Sequence, residues 1–221
     1  VHPAAGNWSG TLLNGILHHF PSSKTLPRAG IVHRLDKNTT GLMVVAKDEL
    51  SQQHLVRQLQ SKKVKREYRA IVWGQVWKNK TISQPIGRHP RVRVKMAVNK
   101  INGKDSITHY EVLERFGMNS YLRCNLETGR THQIRVHMEF NESPIVGDPI
   151  YGLKKIIPTK AMSSNLKKAT LEFDRQALHA TGLGLIHPFT NKPMQWVIDL
   201  PADMKSLLDI IRKEAVQEKE E

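Results

Sequence analysis

The chain has 221 residues, and its 34 Lys and Arg against 20 Asp and Glu give a formal net charge of +14 and a pI near 10.0. This excess favours a polyanionic partner, with nucleic acid ahead of an anionic membrane surface. No apolar run approaches the ~18 residues that span a bilayer, which argues against an integral membrane protein. The single Cys124 excludes an internal disulfide and a cysteine zinc site, so we expect a reducing, cytoplasmic setting.

The first predicted element is a helix over residues 9–20. Its apolar residues recur at helical spacing, Ser9 or Thr11 is a candidate N-cap, and Pro21 is a stop signal. The pair His18-His19 raises the question of a metal. Adjacent helical residues point in different directions, and no matching ligand set follows along the chain, so we expect no metal site.

The stretch from Gly30 to Lys47 combines charged residues with an apolar run. Its second half, Leu42–Ala46, predicts a strand buried on both faces, and the turn-forming residues 38–40 precede it. The charged or ionisable side chains before that turn are His33, Arg34, Asp36 and Lys37. Catalytic groups often stand on loops held by a rigid core strand. A surface loop with a solvated ion pair has the same composition and remains an alternative.

Further elements follow from periodicity and turn signals. The first of these are a helix over 49–62 and strands over 64–76, 105–115 and 119–127. A short helix follows, with Thr131 as a candidate N-cap and with Ile134 and Met138 four residues apart. The rest of the chain predicts a mobile Lys-rich loop over 153–170, strands near 178–187 and 194–200, a helix over 203–215 and a frayed tail over 218–221. Residues 134–138 also alternate like a strand, but we favour the helix. Strands outnumber helices without regular alternation, which predicts an α+β fold with a largely antiparallel sheet.

Residues 85–104 form a basic segment between predicted strands. The segment has few large apolar residues, and its cations are Arg88, Arg91, Arg93, Lys95, Lys100 and Lys104. Long basic segments of this kind are usually solvated loops, and some become ordered only on a ligand. Given the overall charge we favour an RNA-contacting loop, with a plain surface hairpin as the alternative.

Several motifs occur in a fixed order along the chain. They are His33-Arg34-Leu35-Asp36 with Thr39-Thr40-Gly41-Leu42, then Lys65-Arg66-Glu67-Tyr68-Arg69-Ala70, then residues 126–137 (LETGRTHQIRVH), and finally the segments 146–149 (VGDP) and 173–180 (FDRQALHA). Together these residues resemble the RluA-type pseudouridine synthases over almost the whole chain, most closely the members that act on the large ribosomal subunit.

The resemblance implies the pseudouridine synthase fold: a long mixed, mostly antiparallel sheet with flanking helices and an active-site cleft across its middle. Residues 1–221 would then be the catalytic domain. Family members usually carry a small S4-like RNA-binding domain ahead of it, and we expect this sequence to lack that domain.

The implied reaction breaks the bond from ribose C1′ to uracil N1, turns the base and joins C1′ to C5. No redox change or outside atom is involved, so no cofactor is expected. The family's aspartate corresponds to Asp36, which either attacks C1′ or promotes elimination. The matching basic residue is Arg135, which would keep a buried carboxylate charged. A helix-surface arginine is the alternative for Arg135.

Other site residues are also carried over by the resemblance. Tyr68 matches the active-site tyrosine, expected against the uracil ring, where its hydroxyl helps to move the C5 proton. A core tyrosine with a satisfied hydroxyl is the alternative. Ile134 is expected to line the uracil pocket. The expected RNA contacts are Arg34, Arg130 and His132, whereas His33, His137 and His179 are expected to be structural. The charge of the basic segment, rather than the resemblance, adds Arg88, Arg91, Arg93 and Lys95 to the expected RNA contacts.

The expected partner is large-subunit ribosomal RNA, and the expected assembly is a monomer without membrane contact. The same chemistry on transfer RNA remains open, because the motifs define chemistry rather than target. A non-catalytic RNA-binding assembly factor would explain the charge equally well but would leave the position of Asp36 among cations unexplained. A metal-dependent nuclease is disfavoured, because no carboxylate cluster is present for Mg²⁺.

Overall fold

The computed structural model describes residues 1–3, 8–92, 94–153 and 162–217. The helices are α1 (Leu12–His19), α2 (Glu49–Gln60), α3 (Gln133–Phe140), α4 (Ser164–Leu171) and α5 (Ala202–Gln217). The strands are β1 (Thr40–Gly41), β2 (Lys65–Trp73), β3 (Lys80–Ser83), β4 (Ile86–Arg88), β5 (Met96–Val98), β6 (Ile107–Arg115), β7 (Asn119–Leu126), β8 (Leu178–Ile186) and β9 (Pro193–Val197).

One sheet of seven strands organises the described residues. Its order is β1-β8-β2-β7-β6-β3, with β9 also paired to β8, while β4 and β5 form a separate hairpin. The pair β1 and β8 is parallel, and all other pairs in the sheet are antiparallel. The mixed, mostly antiparallel sheet and the α+β class predicted from the sequence are therefore confirmed.

The main core lies between the sheet and the helices packed on it. The predicted core face of α5 is confirmed, because Met204, Leu207, Leu208 and Ile211 are all buried there. Helix α3 adds Ile134 and Met138, four residues apart on one face, which confirms the helical alternative for this segment. Strand β2 runs through the middle of the sheet, so its side chains lie at the centre of the molecule.

Local capping signals place the first two helices as predicted. The Thr11 side chain accepts a hydrogen bond from the Asn14 N–H, and the Asn14 Oδ1 accepts one from the Thr11 N–H, as in a capping box. Asp48 caps α2 by accepting a hydrogen bond of 2.8 Å from the Ser51 N–H. None of the helices in the described ranges is long and apolar enough to cross a bilayer.

The prediction of a strand over Leu42–Ala46 is wrong. Only Thr40 and Gly41 pair with β8, and Val45 makes a single bridge to Ile31. The reason is that β9 pairs with β8 from Gly182 onward, so the segment after Gly41 has no strand edge beside it. Its side chains still pack on two sides: Leu42 and Val44 join one apolar cluster, and Met43 and Val45 join another.

The basic segment contains the hairpin β4–β5, the alternative that the sequence left open, and its Ile86 packs against Val136 of α3 and Tyr151. Its contact with RNA stays a prediction. One further prediction needs correction, because the segment predicted as a loop over 153–170 contains helix α4. Residues 154–161 within that segment, together with 218–221 of the predicted frayed tail, lie outside the described residues.

Candidate active site

A cleft of about 540 Å³ lies over the middle strands of the sheet. Strand β2 supplies Arg66 and Tyr68 to its wall, β7 supplies Leu126, and the N-terminal end of α3 supplies Ile134. The opposite wall is the loop before β1, which carries Arg34 and Asp36. The first and third sequence motifs therefore face each other across the cleft, although they are about a hundred residues apart in sequence.

Asp36 sits in a tight turn at the edge of this cleft. Its carbonyl oxygen accepts a hydrogen bond of 3.0 Å from the Thr39 N–H, and its side chain is 15 % exposed. The turn leads into β1, where Gly41 has φ +119° and a Cβ would lie 2.3 Å from the Ala180 oxygen. A side chain at Gly41 would therefore force the Asp36 loop away from β8.

Arg135 joins Asp36 to a second carboxylate. The Arg135 Nη1 lies 3.4 Å from Asp36 Oδ2, while its Nε and Nη2 bind Asp148 at 2.7 and 2.9 Å. The Asp148 side chain is fully buried, and its Oδ1 also accepts the N–H groups of Ile150 and Tyr151. Burial works to lower the pKa of Arg135, but hydrogen bonds and charge from Asp148 and Asp36 outweigh it and raise the pKa. The arginine thus stays a cation beside Asp36.

Tyr68 projects from β2 into the same cleft. Burial raises the pKa of its phenol to about 12; the charge of Arg66 works against this rise and the charge of Asp36 adds to it. The tyrosine is therefore a neutral hydroxyl near pH 7. The register of strand β2 against β8 is irregular between Glu67 and Tyr68. Irregularities of this kind change the direction of side chains and are common beside active sites.

His132 precedes α3 and contacts Tyr151 rather than the cleft lining. It has a left-handed backbone (φ 58°), and its Nδ1 lies 2.7 Å from the Tyr151 hydroxyl. His132 therefore occupies the N-cap position for which the sequence suggested Thr131. The Tyr151 hydroxyl also accepts the Met96 N–H at 2.9 Å, which ties the β4–β5 hairpin to the Asp148 segment.

A second set of contacts holds the Asp36 loop from the side of β8. The Gln176 amide donates to the Lys37 carbonyl at 2.7 Å and to the Thr39 hydroxyl at 2.8 Å. Arg175 donates to the Asn38 carbonyl at 3.2 Å and binds both oxygens of Asp203, at the start of α5, at 2.7 and 2.9 Å. The loop is thus fixed by residues far away in sequence.

The predicted RNA contacts fall into two groups. Arg34, Arg130 and Ile134 line the cleft. The described hairpin cations Arg88, Arg91 and Lys95 are not among the cleft-lining residues, and Lys95 pairs with Glu139 at 3.2 Å. Arg93 lies outside the described residues.

The histidines left out of the catalytic set all have hydrogen-bonding partners. His33 Nε2 accepts the Val44 N–H at 3.0 Å, and burial followed by the charge of Arg66 lowers its pKa to about 4. His137 bonds Thr108 and Gln84, and His179 bonds Thr40 and Asp199. In the described ranges no group of three His, Cys, Asp or Glu is arranged to hold a metal ion.

Sequence reasoning gave no role to Asp148, Tyr151, Arg66, Arg175 or Gln176. Four of them stand in segments that carry the family resemblance, namely Arg66 in 65–70, Asp148 in 146–149, and Arg175 and Gln176 in 173–180, but the motifs by themselves assign these residues no role. Their partners become visible only when the chain is folded.

The chain also matches a family model. The model for RNA pseudouridylate synthase matches residues 18–140. The chain belongs to this family. RNA pseudouridylate synthases isomerise uridine in RNA to pseudouridine, so the chain belongs to a family of isomerases.

Named relatives agree with this membership. The ribosomal large subunit pseudouridine synthase D of Escherichia coli K12 is 48 % identical over 221 residues, which are 100 % of this chain and 67 % of that protein. The protein of the same name from Nitrosomonas europaea is 51 % identical over 212 residues, covering 96 % of this chain and 60 % of that protein. The chain therefore spans about two thirds of the length of these relatives.

Solved structures show the same fold. Human RNA pseudouridylate synthase domain containing 4 has a TM-score of 0.65 and 26 % identity, covering 82 % of this chain and 75 % of that one. Human RNA pseudouridylate synthase domain containing 1 has a TM-score of 0.66 and 25 % identity, covering 91 % and 85 %.

Proposed function

We propose that this pseudouridylate synthase isomerises uridines in large-subunit ribosomal RNA, with Asp36 as nucleophile. The observation that carries the proposal is the partly exposed Asp36 carboxylate at the cleft, paired with an arginine that a fully buried aspartate holds from behind. The names of the relatives favour the ribosomal target. A net charge of +14 suits a polyanionic substrate.

The first step breaks the glycosidic bond. An oxygen of Asp36 attacks ribose C1′ while the bond from C1′ to N1 breaks, and its electron pair leaves with the base. Arg135 contacts the same carboxylate at 3.4 Å and stabilises its negative charge before the attack and again when the carboxylate is released. No outside atom or electron enters, so the reaction needs no cofactor.

The second step joins the turned base to the sugar. C5 bonds to C1′, the Asp36 carboxylate is released, C5 loses its proton and N1 gains one. Tyr68 lies beside the base and is a neutral phenol, because its pKa is raised. It donates a hydrogen bond to the base, or it gives up its own proton and takes up another in the same step. Ile134 forms the apolar side of the uracil pocket.

RNA contacts complete the proposal. Arg34 and Arg130 line the cleft and are exposed, so they are able to reach phosphates of a target strand drawn into it. His132 and the hairpin cations lie beyond the cleft lining and would contact flanking RNA. We further propose that the protein acts as a monomer in the cytoplasm, where ribosomal RNA is made.

The decisive variant is Asp36→Asn, because it keeps the shape of the side chain and removes the nucleophile. We expect loss of tritium release from [5-³H]uridine RNA, with folding and RNA affinity close to wild type. Asp209→Asn on the surface of α5 is the matched control. Turnover by Asp36→Asn near the wild-type rate would contradict the role of Asp36. Faster modification of transfer RNA than of ribosomal transcripts would contradict the proposed target alone.

A further inference from the structure

Arg66 is a buried cation for which the proposed mechanism has no role so far. It is the second residue of β2 and is only 8 % exposed. Its guanidinium lines the cleft together with Tyr68, because side chains two apart on a strand point to the same face. One Nη donates to the Glu127 carbonyl at 3.2 Å, whereas its Nε is buried without a hydrogen-bond partner.

The surroundings of Arg66 differ from those of Arg135, the buried arginine that contacts Asp36. Arg135 binds two carboxylates. No carboxylate in the described parts of the chain pairs with Arg66, and burial lowers its pKa. A buried charge without a counter-charge costs several kcal/mol. A buried cation of this kind is stabilised when a bound ligand supplies the negative charge that the protein does not.

The position of this guanidinium is defined by the third motif. A Cβ at Gly129 would lie 2.5 Å from Nη1 of Arg66, so the backbone of the motif packs directly on the guanidinium. Only a residue without a side chain fits there while Arg66 keeps its place. The arginine is therefore held in the wall of the cleft.

We propose that Arg66 binds an anionic oxygen of the target nucleotide, namely a uracil carbonyl oxygen once the base has become an anion. The proposal rests on the proposed role of Asp36. When the bond from C1′ to N1 breaks, its electron pair remains on the base, and the negative charge spreads from N1 to the carbonyl oxygens. Asp36, Arg66 and Tyr68 all line the same cleft. In the proposed arrangement the base lies against Tyr68, with its sugar towards Asp36 and a carbonyl edge towards Arg66.

A phosphate oxygen of the target nucleotide offers the same chemistry, and kinetics separate the two sources. Loss of a contact that forms with the base anion lowers the single-turnover rate at saturating RNA, whereas loss of a phosphate contact weakens binding. Removing one donor to a developing anion typically costs about 100-fold in rate. Removing one phosphate contact to a single strand lowers the log–log salt slope of binding by ~0.7.

The test compares Arg66→Gln with Lys65→Gln, which removes the same charge from an exposed side chain on the opposite face of β2. We expect Arg66→Gln to lose about 100-fold in single-turnover tritium release, with Kd and salt slope close to wild type and Lys65→Gln unaffected. A normal rate at saturation with a weaker Kd and a smaller salt slope would assign the anionic oxygen to phosphate.

A second variant guards against misfolding. Gly129→Ala retains Arg66 but places a methyl group against Nη1, so we expect the same defect to a smaller degree. If both variants fold, by circular dichroism and thermal unfolding, and keep wild-type rate and Kd, Arg66 only supports the backbone and the proposal is overturned. Wild-type protein and the Asp36→Asn variant are assayed in parallel as controls. Absence of tritium release from wild type, or its persistence in Asp36→Asn, would identify failure of the proposed function instead.

Discussion

Arg135 stands between two carboxylates that differ in exposure. The Asp148 side chain is fully buried and accepts four N–H groups, whereas Asp36 is partly open to the cleft and receives one contact from Arg135. The buried carboxylate thus fixes the guanidinium, and the exposed one is left available for chemistry. Under the proposed function, this division leaves the Asp36 carboxylate open to the cleft beside a cation that is held in place.

The first prediction at the residue scale is that Asp148→Asn destabilises the fold. The variant leaves the Arg135 cation without its buried partner, a change that typically costs 3–5 kcal/mol, which we take as roughly the loss in unfolding free energy. Urea unfolding at pH 7 measures it. Asp209→Asn, in a half-exposed pair with Arg212, is the control and is expected to lose less than about 1 kcal/mol.

The pH dependence of this difference follows from the pKa of Asp148. Burial works to raise that pKa, but the hydrogen bonds and charge of Arg135 and the backbone N–H groups lower it. A lowered folded-state pKa gives stability that is present above the unfolded value and lost as pH falls through the folded value. We therefore expect wild type and Asp148→Asn to converge below about pH 4. A gap that stays constant down to pH 3 would argue against the buried ion pair.

At the scale of elements, the Asp36 loop is shaped by contacts from β8 and α5. The loop is short, and Asn38 within it has a left-handed backbone (φ 67°). Gln176 and Arg175 donate to three consecutive residues of the loop, and Asp203 orients Arg175. The contacts hold two backbone carbonyls and the Thr39 hydroxyl rather than Asp36 itself, so they act on the position of the proposed nucleophile.

Gln176→Met is expected to slow the reaction without weakening RNA binding. The substitution keeps the side-chain length but removes the donors to Lys37 and Thr39. Because a shift of about 1 Å at a reacting group costs up to 100-fold, we expect a loss of 10- to 100-fold in single-turnover rate. Gln53→Met, exposed on α2, is the control. A change in Kd with normal rate at saturating RNA would show that Gln176 serves binding and not positioning.

The elements that were predicted well carry their signals locally. Helix α1 has its cap at Thr11, α5 shows its core face by spacing, and β2 alternates clearly. Helix α4 was missed, because few of its residues are apolar and it is fixed from outside. Ser163 binds the Glu214 carboxylate of α5 through both its N–H and its hydroxyl, across 51 residues of sequence.

The residues of the candidate site also divide into those that the sequence predicts and those that it does not. The motif resemblance points to Asp36, Tyr68 and Arg135. The structure places Asp36 and Tyr68 in one cleft and Arg135 in contact with Asp36, while their catalytic roles stay predictions. Asp148 and Arg66 carry no local signal of a role. A buried aspartate and an unpaired arginine are recognised only by what surrounds them after folding. The strand predicted over residues 42–46 failed for a related reason, since β9 occupies the edge it would need.

At the scale of the whole molecule, the formal net charge is +14, and two of the surfaces that carry cations lie next to α3. One is the cleft, whose cations include Arg34 and Arg130. The other is the β4–β5 hairpin, which is not a free loop, because Ile86 and Val98 pack with Val136 and Tyr151 next to α3. This packing holds the hairpin beside the element that carries Arg135, so RNA entering the cleft can continue across it.

The salt dependence of binding tests whether the hairpin contacts RNA. Replacing Arg91, Lys100 and Lys104, all exposed, with Gln is expected to lower the log–log salt slope by about 2, at ~0.7 for each single-strand phosphate released. Replacing Lys167, Lys205 and Lys213 on α4 and α5 removes the same net charge from a distant surface and serves as the control. If only the overall field of the protein mattered, both triple variants would lose slope equally. An unchanged slope in the hairpin variant would leave the cleft cations as the RNA-binding surface. A loss confined to the hairpin variant would extend the RNA path from the cleft over β4 and β5.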